Sequence, residues 1–368
     1  MSSRAFCSCL AVISCIIMMI LPVLGEDISY PLNMTDSAGR NVTIVMPIER
    51  VIPINTNANE VVTMLKAVDK VVAVDVDEAK KSEMPKEIKK KPTIGKWDNP
   101  DYEMIANIAM KGDTIVPDIL LITYPEADKK YGAEPVAKAL ESFKNITVVG
   151  FKLSKPETME EEIAKLGILL DRQKEAAEYI EWYNGYKNKI EDAIRGKTPP
   201  KVYVEIWNKG SGMGALPSIG RGSALYNQTK FAGGINICKD IEQMSPKVEW
   251  EWVTTQNPDV IVSLQSTDQI GWEKGPSQDS IMLEKVRNEI LSRPGASAVS
   301  AVKNKRVYVV SGSQFYGLDS IVGVAYFAKL FYPDIDLDPE QIYKEYLERM
   351  DVKYPDGRIL LYPEEQAK

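Results

Sequence analysis

Apolar residues in this chain gather into short, dense runs separated by longer amphipathic stretches. Two runs, Pro117-Asp118-Ile119-Leu120-Leu121-Ile122 and Pro258-Asp259-Val260-Ile261-Val262, are rich in Ile, Leu and Val, which suits parallel strands covered by helices on both faces. Their approaches match. Trp97-Asp98-Asn99-Pro100-Asp101-Tyr102-Glu103 leads to the first through a helix-like stretch, and Ser245-Pro246-Lys247-Val248-Glu249-Trp250-Glu251 leads to the second. Each copy reads as a surface loop, a short helix bearing an acidic residue, then Pro-Asp opening a buried strand. Such a duplication predicts two similar α/β lobes, and the cleft between two lobes is a favoured ligand site.

The rest of the pattern fits this plan. Residues 30–45 alternate apolar and polar around Asp36-Ser37-Ala38-Gly39-Arg40, a β-hairpin signal at the domain's edge. A strand over 50–54 is followed by Asn55-Thr56-Asn57, which opens a helix over about 58–67. Further first-lobe strands are predicted at 71–74, 118–123 and 147–151. In the second lobe the pattern predicts strands at 201–207, 260–263 and 306–310, a Gly-rich loop over 210–222, and helices at 223–232, 318–330 and 339–350. Strands alternating with helices argue for mostly parallel sheets. Between the lobes, residues 156–195 form a charged helical stretch that breaks near Asp171. Its second part carries Ala176, Ile180, Tyr183, Ile190 and Ile194 on one face. At 1.5 Å per residue, roughly 24 residues span about 36 Å, enough to bridge two lobes. Gly196-Lys197-Thr198-Pro199-Pro200 stops it. A coiled-coil dimer is the competing reading, but the stripe lasts too few heptads and Lys187 interrupts it. The expected division is 1–25 leader, 26–154 first lobe, 155–198 linking helices and 199–368 second lobe.

The start of the chain, Met1-Ser2-Ser3-Arg4 followed by an apolar run over about 10–24, has the anatomy of a secretory signal cleaved near Gly25. The run is shorter than the roughly 20 residues of a comfortable membrane span; an uncleaved anchor is the alternative. Cys7, Cys9 and Cys15 lie in this leader, so the exported chain keeps only Cys238 and has no internal disulfide. Losing Arg4 takes the formal charge from −7 to −8, a poor balance for a polyanion binder, so no nucleic-acid partner is expected. With no histidine in the chain, Ser-His-Asp, Cys-His and His-based zinc sites are excluded. Carboxylate-only metal sites and carboxylate catalysis stay open, but no spacing points to them, so no catalytic or metal-ligating residues are assigned. Asn33, Asn41, Asn145 and Asn227 each begin an Asn-x-Thr sequence, the pattern of N-glycosylation acceptors in exported proteins.

In its ordered set of motifs the chain resembles the substrate-binding proteins of ABC importers for iron–siderophore complexes, cobalamin and related metal chelates. The motifs are the hairpin at Asp36–Gly39 before Arg50-Val51-Ile52, the segment 67–74, and the two Glu-to-Pro-Asp strand units. Phe231-Ala232-Gly233-Gly234-Ile235-Asn236 and Pro294-Gly295 with Ala301-Val302-Lys303-Asn304-Lys305-Arg306-Val307-Tyr308 complete the set. Ala67-Val68, where the family has Leu-Gly, and an insertion around 111–116 depart from the pattern. The resemblance implies two α/β lobes with mostly parallel sheets bridged by one long helix, a largely preformed cleft, and a monomer that delivers its ligand to a permease dimer with its ATPase subunits.

It also implies that loops following the strands line the cleft. Those loops hold Asn55, Trp97, Tyr124, Trp207, Phe315 and Tyr316, and large rings suit a bulky or flat chelate better than a bare ion. For any single ring, core packing competes. Arg221, in the Gly-rich loop, is positioned to meet an anionic ligand by a bidentate contact, against the alternative of a solvent-exposed loop arginine. The expected ligand is an iron–siderophore complex. A corrinoid stays open, since Trp97 suits a stacked macrocycle while Ser245 stands where a corrin-binding relative has a second aromatic. In the family one acid on each lobe pairs with permease arginines, and Glu103 and Glu251 occupy those places. Two other classes fit the sequence less well. An exported carboxylate hydrolase lacks a partner for Asp98 and Asp101, and an adhesion module is disfavoured by the absence of repeats.

Overall fold

The computed structural model describes residues 28–81, 84–206, 215–266, 272, 280–354 and 356–364. It contains two sheets built to one plan. In the first lobe Ile119–Thr123 lies between Arg50–Pro53 and Ile146–Gly150, all parallel, and Val71 bridges Val51 in parallel on the far side. In the second lobe Val260–Gln265 is central. The order there is Ile235–Asn236, Lys201–Ile206, Val260–Gln265, Val307–Ser311, parallel throughout, closed by the antiparallel edge strand Leu361–Tyr362. Both central strands are buried along their whole length and are apolar except at Thr123, Ser263 and Gln265.

The duplicated Pro-Asp pair has a structural duty. The Asp118 carbonyl accepts from Arg50 N at 3.0 Å, while Asp259 exchanges backbone and side-chain bonds with Lys201 at 2.8 and 2.9 Å. Each aspartate thus ties the start of the central strand to the start of its neighbour. Asp118 is buried and also receives Arg50 Nη2 at 2.6 Å and Lys111. Burial pushes its carboxyl up, but the hydrogen bonds and charges of Arg50 and Lys111 outweigh this and hold it below the usual carboxylate range.

Some predicted elements take a different form. Residues 71–74 make only isolated bridges, Val51–Val71 and Val74–Thr93, instead of a continuous strand. The loop around Trp97 is a small hairpin, Gly95–Lys96 with Asn99–Pro100. The linking stretch breaks where predicted, into two helices, Pro156–Leu170 and Gln173–Ile194, packed on each other and joined through Asp171 in the left-handed region at φ +55°.

The longer helix lays one face into a single continuous core. Its buried face, Ala176, Tyr179, Trp182, Tyr183 and Ile190, joins first-lobe residues such as Val61, Leu65 and Leu120 to second-lobe residues such as Phe327, Tyr343 and Leu347. Tyr179 Oη ties the linking helix to the second lobe by donating to the Leu318 carbonyl at 2.8 Å, and Tyr346 Oη ties the lobes directly by donating to Glu60 Oε2 at 3.2 Å. No helix among the described residues is long and apolar enough to cross a membrane.

Candidate functional site: the cleft between the lobes

Parallel strands point all their carboxyl ends to one edge of a sheet, where binding loops collect. In the first lobe these ends lead into Asn55-Thr56, Tyr124-Pro125 and Phe151-Lys152; in the second, the strand Val307–Ser311 leads into Gly312–Phe315, Tyr316 and Gly317. The two edges meet. Gly317, at φ +106°, comes so close to the helix Thr56–Met64 that an added Cβ would lie 3.0 Å from both Asn57 Oδ1 and Glu60 Oε2. That contact brings the second-lobe loop against the first-lobe helix beside the candidate cleft.

On the first-lobe side an aromatic cluster gathers at this edge. Trp97, from the turn of the small hairpin, sits 5.5 Å from the Tyr124 ring and 5.0 Å from the Tyr131 ring, and the two tyrosines are 5.5 Å apart. All three are partly exposed, so they pack as a cluster and still present ring surface. Lys152 Nζ lies 5.8 Å from the Tyr124 centroid and pairs with Glu126, placing a cation at the edge of the cluster. Burial pushes the Tyr124 hydroxyl up, with hydrogen bonding to Thr56 opposing. Close enough to influence it are two fully buried acids, Asp75 and Glu78. Asp75 Oδ1 accepts from the amides of Asp77 and Glu78 at 2.9 and 3.2 Å. Burial pushes the Glu78 carboxyl up to about 7, against the pull of Lys81 Nζ at 2.6 Å.

Tyr131 was not read from the sequence. Its only local signal is the Tyr-Gly step at 131–132: a Cβ on Gly132 would fall 1.7 Å from the Glu126 carbonyl, so the loop that carries Tyr131 can close only on glycine.

Two expected cleft residues are instead structural. Asn55 is fully buried and caps the helix that follows: Oδ1 accepts from Asn57 N at 2.9 Å and Nδ2 donates to the Phe151 carbonyl at 2.7 Å. Both polar atoms of its side chain are engaged within the protein. Phe315 is 1% exposed and its ring packs 4.5 Å from Phe327, a core contact. It ends the short helical turn Gly312–Phe315 on the buried side, and the neighbouring Tyr316 is exposed. Arg221 is exposed, bonded to the Lys239 carbonyl at 3.1 Å and to Glu242 at 2.8 Å. Trp207 and residues 210–214 of the Gly-rich loop lie outside the described residues, as does the leader. Asp101 caps its helix through Met104 N at 2.9 Å, and no group of three or more Cys, Asp or Glu able to hold a metal occurs among the described residues.

Glu103 and Glu251 occupy equivalent places. Each is exposed and is the second residue of its helix, Tyr102–Ala109 or Trp250–Gln256, and each helix precedes the central strand of its lobe. The second of these helices is anchored from below. Trp250 stacks 4.9 Å from the Arg293 guanidinium and donates Nε1 to the Pro294 carbonyl at 2.9 Å. Arg293 in turn grips the buried Glu205 through bonds of 2.7 and 3.0 Å.

Comparison with curated proteins finds no match. A family model described as periplasmic binding protein matches residues 51–312. Among solved structures the chain is similar to the TroA-like periplasmic binding protein FepB from Veillonella parvula, at 23% identity and a TM-score of 0.71 over 90% of this chain and 99% of that one. It is also similar to MolA of Haemophilus influenzae bound to molybdate, at 17% identity and a TM-score of 0.61 over 88% and 99%. A third is a periplasmic heme binding protein from Pseudomonas aeruginosa, at 20% identity and a TM-score of 0.54 over 79% and 95%.

Proposed function

The chain belongs to the periplasmic binding protein family, and on that premise we propose that it captures a metal chelate, by preference an iron–siderophore complex, between its lobes and delivers it to an ABC import permease. Members of the family are solute-binding proteins that work outside the cytoplasm with an ABC permease and its ATPase; they are not enzymes. The observation that carries the ligand class is the aromatic wall of Trp97, Tyr124 and Tyr131 with Lys152 at its edge. Three mutually packed rings offer a broad, rigid apolar surface for the body of a chelate. A bare metal ion would need a set of hard or imidazole ligands, and the chain has no histidine. Similar folds include a heme binding protein and a molybdate-bound one, so haem and an oxyanion belong in the test alongside ferric chelates and cobalamin. Tyr316, exposed beside Gly317, faces this wall from the other lobe in our reading, with Arg221 and Trp207 as further second-lobe contacts.

Delivery rests on Glu103 and Glu251. Two exposed acids in matching first turns, one per lobe, suit docking onto a two-fold permease, steering encounter and then releasing readily because exposed pairs each contribute little. We take the protein to be a monomer, exported through its leader. The deciding experiment is a thermal-shift and tryptophan-fluorescence titration with ferric hydroxamates, ferric catecholates, haem, cobalamin and molybdate. A melting-temperature rise and quenching with ferric chelates support the proposal. Response to molybdate alone, or to none of them, defeats it, and a preference for cobalamin moves the assignment to a corrinoid.

A further inference from the structure

The hairpin strands Leu32–Thr35 and Asn41–Ile44 turn Leu32, Met34, Val42 and Ile44 toward the first-lobe core, leaving Asn33, Thr35, Asn41 and Thr43 exposed. Those four exposed residues are two Asn-x-Thr sequences, and the antiparallel register sets Asn33 opposite Thr43 and Thr35 opposite Asn41. Each threonine hydroxyl donates to the asparagine of the other sequence, Thr43 Oγ1 to Asn33 Oδ1 at 2.6 Å and Thr35 Oγ1 to Asn41 Oδ1 at 3.1 Å. Both asparagines therefore use their side-chain oxygen, and among the described residues neither Nδ2 has an acceptor. The other two Asn-x-Thr sequences are spent on structure. Asn145 donates Nδ2 to the Ile115 carbonyl at 2.8 Å from a left-handed backbone at φ +77°. Asn227 lies within the helix Ala224–Phe231, where Thr229 is fully buried and bonded to the Leu225 carbonyl at 2.8 Å.

We propose that Asn33 and Asn41 are N-glycan acceptors and that Asn145 and Asn227 are not. The surroundings of the hairpin support this choice. Although 26% of the chain is charged, the exposed strand face carries no charge at all and ends in Val45, which is 52% exposed. Exposed strands ordinarily carry charges, especially lysine, that discourage pairing with other chains; a bulky hydrophilic glycan does the same work here. The face is also sterically open. The hairpin packs with Val51, Leu120 and Val149 on one side of the first-lobe sheet, whereas the helix bearing Glu103 packs with Ile52, Ile119 and Leu121 on the other. A glycan on the hairpin therefore stands on the opposite side of the sheet from that acid. In the transfer, Nδ2 forms a bond to the anomeric carbon of a lipid-phosphate-linked oligosaccharide. The carbon–oxygen bond to phosphate breaks, the lipid phosphate leaves with the electron pair, and the amide proton passes to a base of the transferase.

The test is peptide mass spectrometry of the full-length protein isolated from its own cells. Trypsin separates the acceptors, one on the peptide ending at Arg40 and the other on residues 41–50. The expected result is a glycan on one or both hairpin peptides, with the Asn145 and Asn227 peptides bare. Thr35→Ala and Thr43→Ala each abolish modification of their own asparagine, while Thr35→Ser and Thr43→Ser retain it. Bare hairpin peptides, or a glycan on Asn145 or Asn227, overturn the proposal. Protease accessibility on intact cells, measured in parallel, separates such a failure from an error in the extracytoplasmic placement.

Discussion

Replacing Trp97 by alanine tests the cleft and its chemistry together. The indole contacts two rings, at 5.5 and 5.0 Å, and such pairs contribute about 0.5–1.5 kcal/mol each beyond simple area burial. Trp97→Ala should therefore lower the unfolding free energy by about 1–3 kcal/mol, read by urea denaturation. If the same ring is a ligand anchor, truncation also weakens chelate binding by about 1–3 kcal/mol, roughly 5- to 150-fold in Kd. Isothermal titration is the assay, because it does not depend on the deleted fluorophore. Trp97→Phe separates the two roles: it keeps an aromatic face toward both tyrosines and should recover most of the stability and all but a few-fold of the affinity. The refuting result is specific. A Trp97→Ala protein that loses stability as stated yet binds its chelate with unchanged Kd reduces the aromatic wall to core packing.

Four further outcomes are expected. Reversing both acids, Glu103→Arg with Glu251→Arg, should abolish ligand-stimulated ATPase of the cognate transporter while leaving ligand affinity intact; normal stimulation disproves the docking assignment. Because the lobes share one core through the helix Gln173–Ile194 and are tied by Tyr179 and Tyr346, ligand-free and ligand-bound protein should give nearly equal radii of gyration by small-angle scattering. A clear contraction would contradict the stiff linkage. The Glu78 carboxyl is raised by burial from its ordinary 4.5 to about 7, so the folded state prefers it protonated; its contribution to stability is full below pH 4.5 and is lost as pH rises toward 7, about 3 kcal/mol in all. Glu78→Gln should remove that part of the pH dependence, and urea curves from pH 4 to 8 that remain parallel to wild type would disprove it. Arg293→Ala strands the buried Glu205 and should cost about 3–5 kcal/mol of unfolding free energy, with a loss below 1 kcal/mol contradicting the assignment.

Local patterning alone was enough to expose the architecture. Asp118 and Asp259 mark two central strands because a parallel strand buried on both faces opens with a dense apolar run, here Ile119–Ile122 and Val260–Val262, a constraint written into consecutive residues. The hairpin at Asp36–Gly39 and the helix break at Asp171 were legible for the same reason: alternation and turn chemistry are short-range properties. The matched first-turn positions of Glu103 and Glu251 followed from the duplication itself.

What the sequence could not assign was which partner covers a given side chain. Asn55 and Phe315 follow strands, where cleft residues are expected, yet one is consumed as a helix cap bonded to Phe151 and the other is turned onto Phe327. Tyr131 is unremarkable in its own segment and becomes part of the wall only because Trp97, 34 positions earlier, folds against it. The common core of the lobes and the edge strand Leu361–Tyr362 likewise arise from contacts between distant segments. Periodicity along a chain determines which face of an element is apolar; only the tertiary fold decides what that face meets, because covering it is settled by packing among elements far apart in sequence.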